Sequence, residues 1–170
     1  MNIILIGFMG TGKTVVGQKL AHDLGWNYLD TDELIEQTEK LDINEIFSQK
    51  GKVYFRQLET RTLATLKDCD RSVVATGGGI VLLTENVKMA KQLGPLVLLW
   101  ADPLEIFERV KGDTSRPLLK VADPLSAINK ILSARQPAYE QAADYKIETT
   151  RLTITEVVEE IKKCLKLKLP

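Results

Sequence analysis

Histidine and cysteine are nearly absent from this chain. His22 is the only histidine, and Cys69 and Cys164 are the only cysteines. The cysteines stand far apart in no metal-ligand or redox spacing, which leaves two idle thiols and speaks against a disulfide framework or a Cys/His metal centre. His22 falls in an amphipathic segment without a second ligand type nearby, so it reads as a partly exposed helix residue. Net charge of one sign is missing too: 23 basic residues balance 23 acidic ones. A neutral chain has no broad field for nucleic acid or an anionic membrane surface, and any anion must be bound locally. No apolar run approaches the ~20 residues of a membrane span, since Leu96 to Ala101 stops at Asp102. Met1-Asn2 lacks the basic start of a signal peptide, so a cytoplasmic location is expected. Repeats, low-complexity tracts and linker-like boundaries are lacking. At 170 residues, a single domain spanning 1–170 follows.

What the chain does contain is alternation of strand and helix signals. Ile3 to Ile6 is a continuous apolar run ending at Gly7, the pattern of a strand buried on both faces in a parallel sheet. Further strand signals lie at Tyr28-Leu29, Ser72 to Ala75, Leu96 to Trp100 and Tyr145 to Ile147. Helical spacing follows Lys13 up to a cap at Gly25. It recurs over Glu33 to Glu39, Ile43 to Leu66 with a break near Gly51, Glu85 to Leu93, Pro103 to Arg109, Leu125 to Ala134 and Ile154 to Leu165. Repeated βαβ units place the chain in the α/β class. Lys111 to Pro124, charged and punctuated by Gly112, Pro117 and Pro124, fits neither period and reads as a mobile loop.

Gly7-Phe8-Met9-Gly10-Thr11-Gly12-Lys13-Thr14 matches G-x-x-x-x-G-K-[ST] between a buried strand and a helix, the context a phosphate-binding P-loop requires. Its backbone N–H groups and the helix N-terminus attract phosphate, Lys13 reaches the β and γ phosphates, and the Thr14 hydroxyl suits Mg²⁺. The GTPase signatures D-x-x-G and N-K-x-D are lacking, for Asn129-Lys130-Ile131-Leu132 ends in leucine. Asp30-Thr31-Asp32 falls at the C-terminal end of the second strand, where ligands gather on an open α/β sheet. Asp30 is a candidate for orienting water on Mg²⁺ and Asp32 for accepting a hydrogen bond from the attacking hydroxyl. The plain structural account is that Thr31 or Asp32 caps the next helix. Arg56 and Glu59, three apart on a helix, share a face and can pair, as an ordinary surface salt bridge would. Gly77-Gly78-Gly79 directly follows a third strand and leaves room for a ligand to touch backbone N–H groups.

These pieces, with Phe55-Arg56-x-x-Glu59, Arg116-Pro117-Leu118-Leu119 and Arg135-x-Pro-x-Tyr139, resemble the shikimate kinase family in order and spacing over nearly the whole chain. The resemblance implies a five-stranded parallel sheet between helices, of the P-loop NTPase type and nucleoside-monophosphate-kinase-like, with a lid at about 111–124. It implies transfer of the ATP γ-phosphate to the 3-hydroxyl of shikimate, with Mg²⁺, by a monomer working on small molecules. It assigns Asp32 to the ring hydroxyls, Arg56 and Arg135 to the substrate carboxylate, Gly78 and Gly79 to backbone contact with substrate, and Glu59 to steadying Arg56. Phe47 and Phe55 would wall the pocket. Gly10 to Val15 would cradle ATP, Arg116 would close over it, and Arg109 and Arg151 would lie near adenine. Arg151 sits in Glu148 to Leu152, which matches the family poorly. Rival readings are another small-metabolite kinase, such as a gluconate kinase, and a catalytically idle nucleotide-binding relative.

Overall fold

A computed structural model describes residues 1–112 and 121–167. Five strands, β1 (Ile3–Ile6), β2 (Asn27–Asp30), β3 (Ser72–Ala75), β4 (Leu96–Trp100) and β5 (Tyr145–Glu148), pair in the order β2-β3-β1-β4-β5. Every pair is parallel. Seven helices connect or follow them among the described residues: α1 (Lys13–Leu24), α2 (Thr31–Glu39), α3 (Ile43–Thr65), α4 (Thr84–Leu93), α5 (Pro103–Val110), α6 (Pro124–Ala142) and α7 (Ile154–Cys164). Among the described residues no helix is long and apolar enough to cross a membrane.

The all-apolar first strand has the consequence its sequence implies. Successive side chains of a strand point to opposite faces. Ile4 and Ile6 therefore join a core with Val74, Leu98, Ile128 and Tyr139, while Ile3 and Leu5 join another with Val16, Leu20, Val97 and Val158. Burial on both faces fixes β1 at the centre of the sheet. Its C-terminal end lies between β3 and β4, the crevice where an open parallel sheet receives its ligand. A third, smaller cluster of Ile35, Ile46, Phe55 and Leu58 holds α2 against α3.

Helix α3 does break at Gly51, which takes φ 78°, ψ 172°. The largest departure from the sequence expectation is α6. Its spacing suggested an end at Ala134, yet the helix runs on to Ala142 with Pro137 inside it. Proline there forfeits one backbone hydrogen bond and strains the preceding turn. Fully buried Tyr139 and nearly buried Ala142 offset that cost by packing into the core. The extension is what brings Arg135 and Tyr139 to the sheet edge. At its other end Pro124 is the first residue of α6, capped by Asp123, whose side chain accepts from Ser126 N. The expected loop therefore ends before Pro124. Its residues 113–120, Arg116 among them, lie outside the described residues.

Candidate active site

The P-loop wraps the end of β1 through two left-handed glycines, Gly10 (φ 75°) and Gly12 (φ 95°). A side chain at Gly10 would be strained and would also meet Val110 of α5, with Cβ 2.7 Å from Cγ1. Gly12 serves as the N-cap of α1, no side chain caps that end, and the first turn carries no acid. The helix N-terminus thus keeps its N–H groups and partial positive charge for an anion. Lys13 Nζ folds back to donate to Gly7 O and Phe8 O, each at 2.9 Å. Thr11 is buried and its hydroxyl donates to Phe8 O at 2.8 Å, so Thr11 can offer a ligand only its backbone.

A cleft of about 710 Å³ opens from this loop, lined by Gly10 to Val16, Asp30, Asp32, Thr76, Gly78, Arg109, Thr149 and Leu152 to Ile154, among others. Arg109 is clamped across its rim. Its guanidinium donates to Thr149 O at 2.8 Å, to Thr149 Oγ1 at 3.1 Å and to Gly10 O at 3.4 Å, while Nε pairs with Glu105. Val15 and Thr14 are exposed at the cleft. Arg151 is exposed and is not among the lining residues, whereas its neighbours Leu152, Thr153 and Ile154 are.

At the end of β2 the cap of α2 proves to be Asp30, not Thr31 or Asp32. Its Oδ1 accepts from Asp32 N at 2.9 Å, and Oδ2 accepts from Tyr28 Oη at 3.1 Å. Thr31 is fully buried and accepts from Gly77 N at 3.0 Å, tying the Asp-Thr-Asp turn to the glycine run. Asp32 is then free to face the cleft. Burial first, and the neighbouring Asp30 charge second, push its carboxyl up to about 6, with Lys13 pulling the other way.

Arg56 and Glu59 do pair, but not as a surface bridge: the Glu59 side chain is 0% exposed and Arg56 only 15%. Burial raises the Glu59 pKa while Arg56, and more distantly Arg135, lower it. A Cβ on Gly79 would overlap the Arg56 guanidinium, and one on Gly77 would sit 2.5 Å from Asp32 Oδ1. The glycine run therefore exists as much to admit these two side chains as to admit a ligand. Gly78 O accepts from Tyr139 Oη and, at 3.3 Å, from Arg135 Nη1, whose guanidinium lies 5.8 Å from the Phe8 ring centre. Phe47 and Phe55 pack with centroids 4.5 Å apart, and Arg56 lies 5.6 Å over Phe55.

Asp32 Oδ1, Arg56 Nε and Glu59 Oε1 are buried without a hydrogen-bond partner among the described residues. Such atoms are costly unless a ligand or ordered water meets them. Sequence reasoning gave no site role to Tyr28, Thr76 or Thr149, and read Thr31 only as a possible helix cap. Their common signal is position, at or beside the C-terminal ends of β2, β3 and β5, where a hydroxyl can bridge neighbouring loops.

The chain as a whole is similar to known proteins. A family model described as Shikimate kinase matches residues 9–166. The shikimate kinase of Thermodesulfovibrio yellowstonii is 47% identical over 160 residues, covering 94% of this chain and 92% of its own. That of Caldanaerobacter subterraneus subsp. tengcongensis is 43% identical, with coverage of 94% and 93%. Among solved structures, a shikimate kinase from Acinetobacter baumannii in complex with shikimate superposes with a TM-score of 0.92 at 38% identity, over 99% of this chain and 95% of that one. The shikimate kinase of Aquifex aeolicus gives 0.83, also at 38% identity, over 98% and 96%. With identity and fold agreeing over nearly its full length, the chain belongs to the shikimate kinase family.

Proposed function

We propose that residues 1–170 act as a single kinase domain that moves the γ-phosphate of ATP to the 3-hydroxyl of shikimate, giving shikimate 3-phosphate and ADP for aromatic amino acid (chorismate) biosynthesis. The observation that carries this reading is the cluster of buried Glu59 with half-buried Asp32, Arg56 and Arg135 around Gly77–Gly79, adjoining the P-loop cleft. Two arginines in an otherwise neutral chain suit a carboxylate, which a planar guanidinium grips through two parallel hydrogen bonds. Glu59 holds Arg56 in place, and Phe47 and Phe55 wall the pocket. Asp32 orients the acceptor hydroxyl and receives its proton as the O–P bond forms. Lys13 neutralises charge that develops on the transferred phosphoryl group. Arg116 adds to it from the lid. Arg109 and the Leu152 to Ile154 stretch flank the nucleotide base.

Thr14 and Asp30 line the same cleft and offer hard oxygen donors that suit Mg²⁺. Among the described residues no group of three or more His, Cys, Asp or Glu is placed to hold a metal; Thr14 and Asp30 would hold an ion bound together with the nucleotide's phosphates. When bound, it supplies charge neutralisation to those phosphates. Close relation to shikimate kinases over nearly the whole chain favours this reading over a gluconate kinase or an idle relative.

Replacing either arginine by lysine tests the carboxylate assignment, since the sign of the charge stays and the fork is lost. Arg56→Lys and Arg135→Lys should each weaken shikimate binding by about 1 to 3 kcal/mol, read as a rise in the KM for shikimate with little change in that for ATP. A KM for ATP that rises as much as that for shikimate removes these residues from the acid pocket.

A further inference from the structure

The phenol of Tyr28 takes no part in the chemistry above, yet it is hydrogen-bonded to a residue that does. Tyr28 lies in β2, two residues before Asp30, so both side chains leave the same face of the sheet. The ring packs on Gly17 of α1 so closely that a Cβ there would come within 2.7 Å of Cε2. That packing delivers the hydroxyl to Asp30, where it donates to Oδ2 at 3.1 Å. The other Asp30 oxygen is already engaged by Asp32 N, so the carboxylate is fixed from both ends.

With Oδ2 held by the Tyr28 hydroxyl and Oδ1 by Asp32 N, the Asp30 carboxylate cannot turn freely, and its remaining lone pairs keep one direction. We infer that Tyr28 is a positioning residue for the nucleotide's divalent cation, its hydroxyl holding the Asp30 carboxylate toward the ion. The inference rests on the reading that Thr14 and Asp30 face that ion.

Tyr28→Phe isolates the hydroxyl, because the ring and its packing on Gly17 remain. The test measures ADP affinity by calorimetry in EDTA and across a series of free Mg²⁺ concentrations, for the wild type, Tyr28→Phe and Thr14→Val. Tyr28→Phe should melt at the wild-type temperature and bind metal-free ADP as the wild type does, yet need on the order of 10-fold more Mg²⁺ to reach half of the metal-dependent gain in affinity. Thr14→Val should lose most of that gain. If the Mg²⁺ response of Tyr28→Phe superposes on the wild type while Thr14→Val has lost it, the role of Tyr28 is refuted and the metal-facing reading stands. Equal weakening with and without Mg²⁺ also refutes it, since the hydroxyl would then be supporting the loop as a whole. A full Mg²⁺ response in Thr14→Val overturns the underlying reading itself.

Discussion

Lys13→Met is expected to lower kcat by on the order of 10³-fold while leaving the fold intact. The fold should survive because the side chain contributes nothing to either face of the core and donates to carbonyls of its own loop, Gly7 O and Phe8 O. Activity should not survive, since phosphoryl transfer asks the protein for fixed charge and position more than for covalent chemistry. Lys13 also acts on Asp32, whose pKa it holds down against burial and Asp30. Its loss should therefore push the acidic limb of the residual pH–rate profile above the value near 6 set by Asp32. A thermal melt and single-turnover rates across pH check all three statements. Turnover within a few-fold of wild type, or an unmoved acidic limb, counts against the role given to Lys13.

Asp32→Asn is expected to lower kcat by on the order of 10² to 10³-fold, because an amide cannot take the hydroxyl proton, and at neutral pH to make the ligand-free protein more stable. The second effect follows from linkage. The folded pKa is raised from the ordinary 3.8 to about 6 by burial and Asp30. Between those values the folded state binds more protons than the unfolded one, so stability falls as pH rises through that window. Below pH 3.8 the carboxyl is neutral in both states and costs nothing. Above 6 the folded protein carries the full penalty, up to about 3 kcal/mol. Urea unfolding at pH 7.5 should show the variant more stable than wild type, with the gap narrowing as pH falls toward 4. A variant that is less stable at pH 7.5, or fully active at saturating shikimate, contradicts the assignment of Asp32 as a buried base.

The contrast between residues that the sequence exposes and those it hides has a physical basis. Ile3 to Ile6 and the P-loop were legible because a wholly apolar strand has one stable place, and because left-handed backbone at Gly10 and Gly12 demands glycine. The cap of α2 was not, since Asp30, Thr31 and Asp32 are all good capping residues. Only the extended backbone at Asp30, φ −120° and ψ 123°, decides among them. Pro137 hid the second half of α6, because proline's local penalty is visible in sequence and the burial of Tyr139 that outweighs it is not. The Arg56–Glu59 pair was visible as a spacing, but its burial depends on Gly79, distant in the chain. Arg151 was drawn from a poorly matching stretch, and the cleft is instead lined by the three residues after it. Tyr28 reads as one more strand aromatic until α1 is packed against it.

The most direct test of the central claim is ADP release by the wild-type protein with ATP and Mg²⁺, compared among shikimate, gluconate and nucleoside monophosphates, with the phosphorylated position read by ³¹P NMR. Rapid ADP release with shikimate alone, and phosphate found on its 3-hydroxyl, is the expected result. Faster release with gluconate or a nucleoside monophosphate, or no release above background with shikimate, would contradict it.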